Sequence, residues 1–124
     1  MKLQPDRTQG PTITGYGSGW VAINGEPVHA STVVCSTGQT FPWECDGFEK
    51  LGPADFEKLI DLGAELVIFG SGSTLRFPHP QWLQGLYDKR IGVETMDTQA
   101  ACRTYNFLAG EGRKVVAALL ITST

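Results

Sequence analysis

IGVETMDTQAACRTYNFLAGEGRKVVAALLI, residues 91–121, reads as a strand, a helix and a second strand in direct succession. Ile91 to Met96 is a short run bounded by polar residues, the pattern of a strand. Asp97 or Thr98 then stands where a helix N-cap is wanted, because a short side-chain oxygen can accept an N–H that the first turn leaves unpaired. Ala101, Tyr105 and Leu108 recur at helical spacing, and Gly110 and Gly112 supply the stop. Lys114 to Ile121 returns as a strand, apolar over Val115 to Ile121. Strand, helix and strand in this order form a crossover packed on a sheet, which points to parallel pairing.

The same alternation extends upstream. Pro53 suits the first turn of a helix, where a missing N–H costs nothing, and PADFEKLIDLG places Phe56, Leu59 and Ile60 at helical spacing before a Gly63 cap. Glu65 to Phe69 comes next as a strand apolar on both faces, expected inside a sheet covered on both sides. Gln81 to Tyr87 has the makings of a short helix. Nearer the N-terminus, Gly19 to Ser36 reads as two strands around an Asn24-Gly25 turn, and Phe41 to Trp43 as a short strand within loops. The expectation is a single α/β domain over residues 13–121, with a flexible tail over 1–12 and a short C-terminal tail over 122–124. Three layers are expected: a mixed, mainly parallel central sheet, helices packed on it and an N-terminal antiparallel hairpin.

Composition narrows the function. At 124 residues, 41% hydrophobic and 19% charged, the chain suits one self-folding domain rather than a disordered segment. A net charge of −3 without a Lys/Arg run argues against nucleic acid as a partner. No apolar run approaches the roughly eighteen residues of a membrane span, and the opening residues lack the apolar core of a secretory signal. A cytoplasmic protein is expected. Three dispersed cysteines, Cys35, Cys45 and Cys102, suit a reducing compartment and no disulfide framework. No CxxC or HxxxH spacing links them to His29 or His79, so neither a metal nor a cofactor is expected.

Chemistry, if present, belongs at the strand ends. Gly70, Ser71, Gly72 and Ser73 come directly after a strand, where loops of open α/β sheets bind ligands. Parallel strands would bring Ser71, Ser73 and Arg76 toward Glu94, Asp97 and Thr98. Yet the glycine loop lacks the lysine of a phosphate-binding loop and the helix of a dinucleotide fingerprint, since Pro78 and Pro80 interrupt the residues just after it. Asp97 and Thr98 have a capping role that needs no catalysis. Neither a GxSxG elbow nor a base beside Cys45 supports a nucleophile, so no catalytic residue is assigned. Phe41, Trp43 and Phe48 form an aromatic cluster that serves either as a lid of the core or as an anchor for a partner protein. Burial of Trp43 in a symmetric homo-oligomer is a further alternative.

Three blocks, GYGSGWVAING, ELVIFGSGSTLRFP and IGVETMDTQAACRTYNFLAGEGRKVVAALL, together resemble a family of small, mostly uncharacterised α/β domains. That family includes the mitochondrial assembly factor 3 of NADH:ubiquinone oxidoreductase, respiratory complex I. The most specific positions are Met96, Thr98, Ala101, Thr104, Tyr105, Asn106 and Arg113. The resemblance implies a three-layer fold with a mixed central sheet and brings no active site. In the mitochondrial branch it implies a role in assembling the peripheral arm of complex I with a companion factor. Without an arginine-rich presequence, the chain is expected to be a bacterial, cytoplasmic relative. The resemblance implies a non-enzymatic interaction or assembly protein, with respiratory complex I subunits or assembly factors as partners. The alternative is a small-molecule or anion-binding protein, or an enzyme, using the Gly70–Arg76 loop and the Asp97/Thr98 helix start.

Overall fold

A computed structural model describes residues 10–122. The chain forms β1 (Ile13–Gly17), β2 (Trp20–Ile23), β3 (Glu26–Val28), β4 (Thr32–Cys35), β5 (Thr40–Pro42), α1 (Pro53–Glu57), β6 (Leu66–Gly70), α2 (Gln84–Asp88), β7 (Gly92–Met96), α3 (Thr98–Gly110) and β8 (Val115–Leu119). Single 3-10 turns at Phe48–Lys50, Ile60–Leu62 and Pro80–Leu83 complete the helical content of the described residues. An antiparallel sheet β1-β2-β3 lies beside a mixed sheet of order β5-β4-β8-β6-β7.

Strand alternation builds two cores from the five-stranded sheet, because successive side chains point to opposite faces. Val33, Cys35, Val67, Phe69, Val116 and Ala118 meet Phe56, Leu83 and Leu86 from the helical segments on one face. On the other, Val34, Ile68, Val115, Ala117 and Leu119 meet Ala101, Cys102 and Tyr105 of α3, together with Ile13, Val21 and Ile23 of the small sheet. β6 lies inside the sheet, as its doubly apolar pattern predicts, and β8 holds the centre.

The expected parallel bias is only half present. β6 pairs in parallel with β7 and β8, whereas β4 pairs antiparallel with β5 and β8. The short β4–β5 connection explains the first antiparallel pair: Gly38 donates to the Cys35 carbonyl and Cys35 to that of Gln39, a turn with no room for a crossover. The helix read from Pro53 to Gly63 ends at Glu57, and the Ile60–Leu62 turn carries the chain to Gly63 in the left-handed region at φ 80°.

The N-terminal antiparallel unit gains a strand, and its hairpin is shorter than the sequence suggests. The turn is at Asn24 and Gly25, with φ 51° and 86°. The second strand stops at Val28, however, and Thr32–Cys35 crosses into the other sheet. A third strand, β1, is added ahead of the hairpin. Gly17 accommodates Trp20, since a Cβ there would lie 2.5 Å from the indole Nε1, whereas one at Gly15 would meet the ring in ordinary contact at 3.5 Å. Asn106 of α3 holds this strand, its side-chain oxygen accepting from Ile13 N–H at 2.9 Å and its amide donating to Ile13 C=O at 2.7 Å. The Tyr105 hydroxyl donates to the Pro11 carbonyl at 2.7 Å. Pro11 is buried; residues 1–9 of the expected tail lie outside the described residues.

Candidate functional site

The chain leaves β6 toward the face covered by α2, and leaves β7 toward the face covered by α3. Connections that part in this way leave a crevice at the carboxyl ends of the strands, the usual place for a ligand in an α/β sheet. A pocket of about 250 Å³ occupies this region. The Gly72-Ser73 loop and the Asp97-Thr98-Gln99 helix start form one wall, and Tyr16, Trp20 and the turn between them form the other.

The base of the pocket is held by Thr98. Its hydroxyl accepts from Gly72 N–H at 2.9 Å and donates to the Leu120 carbonyl at 2.7 Å. Thr98 N–H returns a bond to the Gly72 carbonyl at 2.9 Å, so the loop, α3 and the end of β8 are joined at one side chain. Gly70 permits this closeness: a Cβ there would come within 3.1 Å of Thr98 Cα. Ser71 is buried beneath the loop, where its hydroxyl donates to the Thr74 carbonyl at 2.7 Å and accepts from Arg76 N–H at 3.0 Å. Asp97 caps α3, accepting from Ala100 N–H at 2.9 Å.

The sequence-predicted cluster is therefore divided. Gly72, Ser73, Asp97 and Thr98 line the pocket, while Gly70 and Ser71 serve its backbone geometry. Arg76 points elsewhere. It pairs with Glu49 at 3.1 Å, and its guanidinium carbon lies 4.7 Å from the Phe48 ring centroid. Glu94 lies on β7 beside a different groove. The Tyr16 to Trp20 segment, Gln99 and the chain from Leu120 to Thr122 also line the pocket and lie outside the expected cluster; for the first segment the signal was the GYGSGW run, whose glycines disguised a strand.

Among the described residues that line the pocket, Asp97 is the only charged side chain, and no Lys, Arg or His accompanies it. The carboxylate opposes the helix dipole and disfavours an anion. Thiol chemistry is also disfavoured. Burial pushes Cys35 up to about 11 and Cys102 to about 12, and burial likewise raises Cys45, whose thiol donates to the Gly47 carbonyl at 3.1 Å. All three are protonated near neutrality. Among the described residues, no three His, Cys, Asp or Glu side chains converge on a metal position.

Of the two roles open to the aromatic cluster, Trp43 takes that of a core residue. Trp43 is 1% exposed, its ring edge-on to Phe56 at 5.6 Å and to Phe69 at 6.0 Å, with Nε1–H donating to the Asp55 carbonyl at 3.2 Å. The protein's own core satisfies it, so a symmetric contact through Trp43 is excluded in this fold. Phe41 and Phe48 are half-buried, packed against the same cluster. Among the described residues, no helix is long and apolar enough to cross a membrane.

This architecture has relatives. The chain is 32% identical over 120 residues to the mouse NADH dehydrogenase [ubiquinone] 1 alpha subcomplex assembly factor 3, covering 95% of this chain and 64% of that protein. The chain thus spans somewhat under two thirds of that relative. An uncharacterised Rhodobacter capsulatus protein is 34% identical over 110 residues, covering 87% of this chain and 82% of its own. A crystal structure of a Bordetella parapertussis protein superposes with a TM-score of 0.86 at 32% identity, covering 90% of this chain and 96% of that one. Residues 13–120 match the family described as "Protein of unknown function (DUF498/DUF598)", and the chain belongs to that family.

Proposed function

We propose that the chain is a non-enzymatic interaction domain that assists assembly of a protein complex in the bacterial cytoplasm, a respiratory NADH dehydrogenase in the first instance. The observation that carries this reading is chemical. The hydroxyls of Ser71 and Thr98 each donate and accept within the protein, and the Cys35 and Cys102 thiols are buried and protonated. A catalytic nucleophile needs a free, activated group beside a base. The likeness to assembly factor 3 supports the choice of complex. Deletion of the gene in its native host should lower the content of assembled NADH dehydrogenase, and a tagged chain should recover subunits or assembly factors of that complex. Normal content together with no recovered respiratory protein refutes the reading.

A second reading rests on the pocket between Trp20 and Asp97. With the Asp97 carboxylate and the Trp20 ring, and with Tyr16 already held by Arg103 through its hydroxyl at 3.1 Å, it suits a neutral or cationic small molecule better than the anion suggested by the glycine loop. A thermal-shift screen of amines and uncharged metabolites tests this. Hits that Asp97→Asn weakens support it, because asparagine keeps the capping oxygen and removes the charge. A screen without a stabilising compound refutes it.

A further inference from the structure

Among the described residues the two sheets have four edge strands; two are guarded by their shortness and prolines, and a third, β1, at Ile13. Asn106 takes both main-chain groups of Ile13 on β1. β3 is three residues long and contains Pro27; β5 is three residues long and ends in Pro42. Short strands and prolines are how natural sheets prevent another chain from pairing with an edge. β7 has five residues and no proline.

The hydrogen-bond register shows which of its groups are free. Gly92 N–H donates to the Glu65 carbonyl at 3.2 Å, and the Met96 carbonyl accepts from Ser71 N–H at 2.9 Å. In a parallel pair the bonding residue alternates, so Gly92, Glu94 and Met96 face β6, while Val93 and Thr95 turn their N–H and C=O groups outward. Among the described residues no partner meets those groups.

The surroundings are apolar on one side and acidic on the other. A groove of about 400 Å³ runs along Val93 and Thr95 between Phe77, Pro78 and Tyr87, with Phe77 69% and Tyr87 48% exposed. Val93 packs toward the α2 face and Met96 toward the α3 face, so Glu94 projects on the side opposite Val93. Glu94 is exposed and is the only charged residue among the described residues along the groove.

We propose that β7 is a strand-addition site for an extended segment of a partner protein, in which apolar residues alternate with a lysine or arginine. This rests on the interaction reading above and names its partner chemistry. The outward groups of Val93 and Thr95 bond the incoming backbone, Phe77 and Tyr87 receive its apolar side chains, and Glu94 faces its basic one. A second copy of β7 centred on this edge would set Glu94 against Glu94, a like-charge pair that sheets disfavour.

The test uses the full chain with two capped peptides, one alternating valine with lysine and one alternating valine with glutamate. Backbone amide exchange is followed by NMR. The lysine peptide should slow exchange at Val93 and Thr95 and bind about fivefold more tightly than the glutamate peptide. Glu94→Lys, a surface change, should reverse that preference, and Thr95→Pro should abolish binding while a melting curve verifies its fold. Equal binding of both peptides, or no protection at Val93 and Thr95, overturns the proposal. A concentration-dependent dimer of the chain alone, protected at those two amides, assigns the edge to a second copy and also overturns it. In the native host, a gene deletion that lowers complex content while Glu94→Lys and Thr95→Pro restore it fully sinks the strand site and leaves the assembly reading intact. A deletion without effect, beside the expected peptide selectivity, sinks the assembly reading and leaves the site.

Discussion

Replacing Thr98 with valine keeps the shape of a buried side chain and removes its hydroxyl. In the folded protein that hydroxyl is the acceptor for Gly72 N–H at 2.9 Å and the donor to the Leu120 carbonyl at 2.7 Å. Both partners would be left unsatisfied. A buried polar group without a partner costs about 1–3 kcal/mol, and the Gly72 amide borders the pocket, where water can partly replace the bond. The expected loss, from the same per-group cost, is about 2–4 kcal/mol. Thr98→Ser retains both hydrogen bonds and removes one methyl group, for a loss of about 1 kcal/mol. Urea unfolding separates the two: with a slope of about 1.5–2 kcal/mol/M, valine should lower the midpoint by roughly 1–2.5 M and serine by about 0.5 M. A valine midpoint within about 0.3 M of the parent would refute the assignment of Thr98 as the joint between the glycine loop, α3 and β8.

Three further outcomes are expected. Gly17→Ala places a Cβ 2.5 Å from Trp20 Nε1, so the indole must move; a loss of about 1–3 kcal/mol and altered tryptophan fluorescence should result, and unchanged spectra would refute the packing. Because the folded thiols of Cys35 and Cys102 are raised to about 11 and about 12, the unfolded chain releases these protons first as pH increases. Stability from both groups should be fully present below about pH 8 and decline above about pH 9, read as a falling urea midpoint, while native-state alkylation at about pH 8 should spare both residues. Asn106→Ala removes both bonds to Ile13 and should accelerate amide exchange in β1 before global unfolding; uniform exchange across the domain would show that β1 has another anchor.

Local signals made part of this structure legible in the sequence. The Asn24-Gly25 turn, the Asp97 cap and the succession from Ile91 to Ile121 are where residue chemistry and backbone requirement coincide, and the structure has each in place. β1 escaped because glycines at 15 and 17 weaken any strand pattern; the reason for Gly17 is Trp20, which sits across the turn. The break between β3 and β4 escaped because residues 26–36 read as one continuous strand, and only tertiary packing divides it between the two sheets. The pocket was half legible. Its Gly72-Ser73 and Asp97-Thr98 wall is a consequence of parallel strand ends, whereas the Tyr16–Trp20 wall comes from a distant segment whose glycine-rich run does not say what it faces. Arg76 lies outside this wall for a related reason, since Glu49 and Phe48 hold its guanidinium through contacts that spacing does not encode.

The strand at the middle of the larger sheet is the last one in chain order among the described residues. β4–β5 and β6–β7 can pair within their own segments, yet neither pair touches the other until Val115–Leu119 enters between them. Until β8 joins, β4 and β6 are each bare along one side. Closure of the domain waits on β8, and the interval before it is when unpaired edges are open to the wrong neighbour. The domain has its own need for shelter until β8 arrives.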